Sequence, residues 1–435
     1  MNVLLIQPPV PRHLDRFRMP FMPLGLAYLA AVLEERHHRV RIVDMDAEGV
    51  DVKNLTESLR REDPFQVVGL TVTTWTYYTA LQVAKAVKSV LPESAVVLGG
   101  PHVTFMAEQT LNEAPWVDYI IRGEGEFSLA ALVDQLGSDV REIKTPGVSY
   151  RRDRMVVHNL MSPPIDNLDA LPLPARHLLK LDAYSNPAIV TSRGCPRRCR
   201  FCVAGAMANS RYRVRSVRSV VGELKLLDRS RRVLFYDNTF GGSIVHSKNI
   251  CRAIIAEGLG MEWSCELRVD NVDKDYMCLL RQAGCRKIQY GVESGSPRIL
   301  PLLGKGITVE QVHRAVGLAL DAGIEVYCTF TIGHPEETRE DIDHTRNLMR
   351  MLRQWGAEAQ AAIVVPFPGT ELYDRREELG IVLEETRWDR FLTSRPTFST
   401  PHLSRDEIGR IYFDIMMEFG TPIEHRKSSA VPGAG

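Results

Sequence analysis

Three thiols stand within eight residues of the stretch "RGCPRRCRFC": Cys195, Cys199 and Cys202, spaced C-x3-C-x2-C and interleaved with Arg193, Arg197, Arg198 and Arg200. A structural zinc site assembles four ligands, usually from paired C-x-x-C units or added histidines, and no second pair is present here. An iron–sulfur cubane can be held by three protein thiolates, which leaves one iron open to an outside ligand. All eight cysteines lie beyond residue 194. With no secretory leader in "MNVLLIQPPV", a reducing, cytoplasmic setting is expected, where thiols serve metals or chemistry more often than disulfides. Cys251, Cys265, Cys278, Cys285 and Cys328 are scattered singly and are expected to be small buried hydrophobes.

The thiols directly follow "PAIVTSRG", the first of six strand patterns; "RRVLFYDN", "MEWSCELRV", "RKIQYGVES", "EVYCTFTIG" and "EAQAAIVVP" come after it. Helical stretches such as "SVVGELKLLDR" separate them, so six successive βα units predict a barrel or partial (β/α)6 barrel over 187–380. Residues at the carboxyl ends of its strands would line the active face. Upstream, "NVLLIQPP", "GLAYLAAVLEER" and "HRVRIVDMD" form a βαβ unit, and the alternation continues through "FQVVGLTVTT", "SAVVLGG" and "WVDYIIRGEGE". About five strands over residues 1–139 predict an α/β domain with a flavodoxin-like (Rossmann-type) parallel sheet, which takes ligands at its carboxyl edge. Gly99, Gly100, Gly123 and Gly125 stand at such ends, where glycine permits close backbone approach to a flat or phosphate-bearing ligand. The proline-rich stretch 140–186 is expected to be a linker, 381–420 a short helical region with one amphipathic helix, and 421–435 a disordered tail.

Composition narrows the partners. The 435 residues are 44% hydrophobic and 25% charged, with 54 basic and 54 acidic side chains, so no global field favours nucleic acid or an anionic membrane. No apolar run near the N-terminus is long enough for a transmembrane segment.

The C-x3-C-x2-C spacing with an aromatic, Phe201, before the last cysteine resembles the radical SAM superfamily. The resemblance implies a [4Fe-4S] cluster whose open iron chelates S-adenosylmethionine, and cleavage of its sulfonium to a 5′-deoxyadenosyl radical. It extends in order through "FYDNTF" (Asp237, Asn238), "CELRVD" (Arg268, to pair with the SAM carboxylate), "GVESG" (Glu293 and Ser294, to bind methionyl or ribose groups), "FTIGHPEET" (Gly333, with His334 where small or apolar residues are common) and "PFPGTELY". A flavodoxin or ferredoxin-type protein is the implied reductant, and the arginines near the cluster form a candidate docking face.

The N-terminal portion, with "GGPHVTF", "VDYIIRGEGEFSLAAL" and "IDNLDALPLPAR", resembles the subgroup of that superfamily carrying a cobalamin-binding domain. Thr73, Gly99, Gly100, His102 and Glu124 are then the expected cobalamin contacts. In "DMDAEG", Asp46 stands where other cobalamin domains have a cobalt-ligating His, so no lower ligand is expected from that motif. Methylthiotransferases of the superfamily hold a second cluster with N-terminal cysteines, and residues 1–194 offer none. The resemblance implies cobalamin-dependent methylation of an unactivated carbon in a small specialised metabolite. Alternatives are a cobalamin-independent radical dehydratase, cyclase or rearrangement enzyme, as on an aminoglycoside intermediate, or a non-catalytic sensor. The short C-terminal region weighs against methylation.

Overall fold

A computed structural model describes residues 1–11, 21–138 and 142–420; the expected tail at 421–435, and residues 139–141 where the linker was expected to begin, lie outside them. The first domain is a sheet of seven strands: β1 (Asn2–Gln7), β2 (Arg39–Asp44), β3 (Val67–Thr71), β4 (Ala95–Gly99), β5 (Tyr119–Ile121), β6 (Val148–Arg152) and β7 (Met155–His158). Their order is β2-β1-β3-β4-β5-β6-β7, the first five parallel, which is the flavodoxin-like arrangement. Helices cover both faces because the parallel strands are near-continuous runs of Val, Ile and Leu, buried on each side.

Residues 148–158 fall in the stretch expected to be a linker, and instead β6 and β7 form an antiparallel hairpin that extends this sheet. Asp153 and Arg154 turn it in left-handed backbone, with φ of 52° and 67°. The chain beyond is a strap. Its three short 3-10 turns, Leu168–Ala170, Arg176–Leu178 and Leu181–Ala183, lie across both domains. Ala175 N–H donates to Ala27 O at 2.9 Å in the first domain, and Arg176 reaches Glu223 and the Ala188 carbonyl in the second.

The second domain carries β8 (Ala188–Ile189), the short antiparallel pair β9 (Ser192–Arg193) and β10 (Arg213–Val214), then β11 (Val233–Phe235), β12 (Trp263–Leu267), β13 (Cys285–Glu293), β14 (Glu325–Ile332) and β15 (Glu358–Ile363). β8 and β11 to β15 pair in parallel in chain order, the expected six strands of a partial barrel. Buried side chains on alternate positions face the helices, among them Val309–Asp321 and Arg339–Gln354, each started by a capping box at Thr308 or Thr338.

After a last small pair, β16 (Val382–Leu383) and β17 (Phe398–Ser399), the expected amphipathic helix runs over Arg405–Phe419. The stretch before it folds back on the first domain. Trp388 and Phe391 join that domain's core, and Trp75 Nε1 donates to the Phe391 carbonyl at 2.7 Å. No helix among the described residues is long and apolar enough to cross a membrane.

Candidate functional site

The carboxyl ends of the first sheet and the start of the second domain enclose a cavity of about 630 Å3. Seven glycines line it, including Gly69, Gly99, Gly100, Gly123 and Gly125, so much of its wall is backbone. Gly100 is required there. Its φ is 105°, and a Cβ would lie 2.7 Å from the Val72 carbonyl oxygen. Leu5, Leu24, Leu26, Leu29 and Ile121 supply an apolar surface, and the opposite side is closed by Ser192–Gly194, Val203, Ala204 and Met207. A flat, largely apolar macrocycle fits such a space.

The two sides are clasped by charge. Arg193 on β9 and Arg213 on β10 are direct cross-strand partners. Arg213 holds Glu124 through two bonds of 2.8 Å, and Arg193 holds Glu126 at 2.6 Å while lying over the Tyr28 ring. Burial opposes ionisation of Glu124, but Arg213, the Ile165 N–H and Arg193 together hold its pKa below the usual carboxylate value. Glu124 therefore lines the cavity with both oxygens committed.

Of the other expected cobalamin contacts, Gly99 and Gly100 are on the wall, whereas Thr73 and His102 are not. Thr73 bonds Thr76 at the entry of the helix Tyr77–Val90. His102 points into the core between Tyr77 and Trp388, its Nδ1 3.1 Å from the Thr74 hydroxyl, and burial lowers its pKa to about 3. The Asp46 carboxylate accepts from the Val10 N–H at 2.7 Å. No histidine lines the cavity among the described residues.

β9 leads straight into the three-thiol loop. Gly194 has φ of 84°, and a Cβ there would meet the Arg211 carbonyl oxygen at 2.0 Å, so no other residue fits. Arg200 pins the loop's far side: its N–H donates to Leu303 O, its carbonyl accepts from Leu372, and its guanidinium bonds Glu336 at 2.8 Å and Glu371 at 3.1 Å. All three thiols are half-buried. Burial pushes Cys199 up to about 11, with Cys202 and Cys195 adding to the rise and Lys305 and Arg268 opposing it; Cys202 is raised as well, again mainly by burial. Binding iron here must therefore displace protons. Among the described residues no set of three His, Cys, Asp or Glu side chains converges on a single ion. A cubane does not ask for that, because each thiolate takes a different iron. Three mutually sensing thiols on a pinned loop beside two cations fit such a cluster.

Around the loop, Arg268, Glu293 and Cys199 are drawn together by a residue that the sequence reading passed over, Lys305. Its Nζ binds Glu293 Oε1 at 2.5 Å, and its carbonyl accepts from Arg268 at 2.6 Å. The signal was local: "GKG", where both Gly304 and Gly306 have positive φ and turn the lysine inward. Glu293 itself has φ of 70° at a break in the β13–β14 register. Strain of that kind clusters at functional sites. Arg268 grips Asp270 at 3.0 and 2.9 Å, and Arg197 also reaches Asp270, at 3.0 Å.

Asp237, Ser294 and Gly333 play supporting parts. Asp237 is fully buried, accepts from Thr191 N–H at 2.7 Å and Ser192 N–H at 2.9 Å, and is raised to about 6 by burial. Its carboxylate thus fixes β9. Ser294 caps the next turn and meets Thr345. The Gly333 N–H donates to Glu337 Oε2 at 2.6 Å. Phe201 packs edge-on against His334, ring centroids 5.7 Å apart, and buried His334 is lowered to about 3. The expected basic face is largely neutralised by ion pairs, and half of it is exposed, at Arg197, Arg198, Arg211 and Arg218. Six of its eight arginines, at 193, 197, 200, 211, 213 and 215, are ion-paired, and only Arg198 and Arg218 have no carboxylate partner among the described residues. Of the five scattered cysteines four are buried as expected; Cys278 is exposed on the helix Lys274–Gln282.

Residues 14–133 match the B12 binding domain family and residues 189–349 the radical SAM superfamily. An uncharacterized methyltransferase of Pyrococcus horikoshii is 35% identical over 94% of this chain and 90% of its own length. The anaerobic magnesium-protoporphyrin IX monomethyl ester cyclase of Rubrivivax gelatinosus is 30% identical over 94% of this chain and 75% of its length. The fold is shared with the radical SAM methyltransferase TsrM of Kitasatospora setae, solved with cobalamin and a [4Fe-4S] cluster bound: TM-score 0.74 at 20% identity, over 88% of this chain and 77% of that one.

Proposed function

The chain belongs to the radical SAM superfamily, in the group with a B12-binding domain ahead of the radical SAM domain, and from that premise we propose that it methylates an unactivated carbon of a small specialised metabolite. Its cofactors are a [4Fe-4S] cluster, S-adenosylmethionine and cobalamin. When bound, they supply a 5′-deoxyadenosyl radical for hydrogen abstraction and a transferable methyl group. The observation that carries the reading is the shared cavity: the glycine-built wall of the first sheet faces the loop that starts at Ser192 and leads into the cysteines.

The chain's own side chains have separable tasks. Cys195, Cys199 and Cys202 hold the cluster, and Arg268 with the Lys305–Glu293 pair binds the charged end of S-adenosylmethionine. Gly99, Gly100, Gly123 and Gly125 let a corrin approach the backbone, while the leucines around them keep water from a reactive carbon. Glu124 and Glu126, through Arg213 and Arg193, fix the distance between the two cofactor sites. Electrons come from an acidic flavodoxin or ferredoxin-type protein in the cytoplasm, met by the open Arg198 and Arg218.

Protein purified anaerobically with hydroxocobalamin should retain a base-off corrinoid together with iron and sulfide, and should move a labelled SAM methyl group into product. Iron retention and SAM cleavage without corrinoid at any supplied concentration would refute methylation. The outcome would favour a radical cyclase, the activity named for the Rubrivivax relative.

A further inference from the structure

The second sheet has two unlike faces. Cys265 and Leu267, Ile288 and Tyr290, Cys328 and Phe330, and Ala359 and Ala361 point to the helices and join one core. Strand alternation then turns Glu266, Gln289, Tyr327, Thr329 and Gln360 to the inner face. Every one of these carries a hydrogen-bonding group. They meet in register: Glu266 lies opposite Gln289, Gln289 opposite Tyr327, and Thr329 opposite Gln360. Gln289 Nε2 donates to Glu266 Oε1 at 3.3 Å, and the Tyr327 hydroxyl donates to Gln360.

Most charges around this face are paired among the described residues, and Asp237 at its edge is held by the Thr191 and Ser192 N–H groups. Towards the foot of the sheet Lys287 pairs with Glu358 at 3.3 Å and Arg232 with Glu325 at 3.4 Å; at the rim Lys305 pairs with Glu293 and Arg268 with Asp270. Glu266 lies between these layers with only the Gln289 amide bonded to it among the described residues. Its side chain opens into the inner space. The surrounding protein nevertheless desolvates it and pushes its pKa up to about 7, with Glu293 and Asp237 adding to the rise and Lys305 opposing it. A carboxylate so placed gains most from a cation that arrives with the ligand.

We propose that the inner face binds the polar part of an amine-bearing small molecule, with Glu266 as counter-ion to its ammonium and Gln289, Tyr327 and Gln360 as hydrogen-bonding neighbours. The inference rests on reading the chain as a small-molecule radical SAM enzyme, and it assigns the substrate class: polar and cationic, in place of a hydrocarbon lipid. The full-length enzyme, carrying its cluster and S-adenosylmethionine but given no reductant, is titrated calorimetrically with three matched cyclic probes. These are 2-deoxystreptamine, scyllo-inositol and quinate, which are cationic, neutral and anionic. The amine should bind about tenfold tighter than the polyol, a preference that a single charge-assisted bond supplies, and quinate should bind weakest. Glu266→Gln should bring the amine to the polyol's level, and Gln289→Glu, which adds a carboxylate in the same row, should widen the preference. Equal binding of the three probes, no binding by wild type, or a preference that survives Glu266→Gln would overturn the assignment. Because no turnover is needed, failure of SAM cleavage would count against the proposed function and leave this result standing.

Discussion

At the carboxyl ends of the first sheet the wall is backbone, shaped by Gly69, Gly99, Gly100, Gly123 and Gly125, whereas the corresponding ends of the second sheet are a lattice of charged side chains, Arg268–Asp270, Lys305–Glu293 and Arg200–Glu336. Removing side chains makes room for a large flat ligand whose affinity comes from area, and fixed charges select a small ionic one. The glycine wall should therefore fail by steric filling and the charged rim by loss of one partner. Between them lies the thiol loop, tied to the first rim through Arg193 and to the second through Arg200.

The largest effect is expected at that loop. Cys199→Ala should abolish the broad iron–sulfur absorption and SAM cleavage, while Cys328→Ala, in the helix-facing core, should lower the melting temperature and keep full iron; a complete cluster in Cys199→Ala would break the three-thiol reading. Next comes the charged rim. Lys305→Met strands Glu293, whose side chain is 9% exposed, and breaking a buried pair on one side should cost about 3 kcal/mol in denaturant titrations. Lys305→Met combined with Glu293→Gln should regain most of that stability but not SAM affinity, which separates fold support from ligand binding.

The two rims were unequally legible in the sequence. Both sheets follow from apolar strand runs alternating with helical stretches, and the thiol loop and glycine turns from short contiguous motifs, because each depends on neighbours in the chain. The hairpin Val148–Arg152/Met155–His158 escaped because its turn, Asp153-Arg154, contains no glycine and its strands alternate weakly. Lys305 escaped for another reason: it meets Arg268 from 37 residues away, and such a pairing has no period. His102 shows the opposite error. It stands one residue from Gly100-Pro101 and so looks like part of the ligand rim, yet the helix Pro101–Phe105 turns it into the core against Trp388, a residue 286 positions away. A motif locates backbone; the direction of a side chain on it depends on the tertiary neighbours.

The glycine rim offers the third test. Gly100→Ala must take φ of 105° and push a Cβ against the Val72 carbonyl, which should cost about 1–3 kcal/mol and reduce corrinoid retention while the cluster and SAM binding persist. Loss of the cluster in that variant would mean that the rims are not independent.

A fourth test uses protons. Glu337, fully buried beneath the charged rim, has its pKa raised from 4.5 to about 8 by burial, against the pull of the Gly333 and His334 N–H groups; its Oε1 has no hydrogen-bond partner among the described residues. The folded protein then holds a proton that the unfolded chain releases. This contribution is complete below pH 4.5, declines as pH rises, and is gone above about 8. Glu337→Gln, neutral throughout, should flatten the fall of the melting temperature across that window. An unchanged slope would place the proton elsewhere.

The smallest effect concerns how electrons reach the loop, and here the ion pairs change which variant is informative. Arg197 shares Asp270 with Arg268, so Arg197→Glu would repel Asp270, disturb the charged rim proposed to bind SAM and slow turnover with any reductant. Among the described residues the Arg198 guanidinium bonds only the Ser210 hydroxyl, at 2.9 Å, and Arg198 is exposed. Arg198→Glu should therefore leave dithionite-driven SAM cleavage near wild type and slow the flavodoxin-driven reaction several-fold at low salt, the difference closing as ionic strength shortens the screening length. Equal slowing with both reductants would place Arg198 in the cluster loop's own structure. No slowing with either would move the docking face away from the thiol loop altogether.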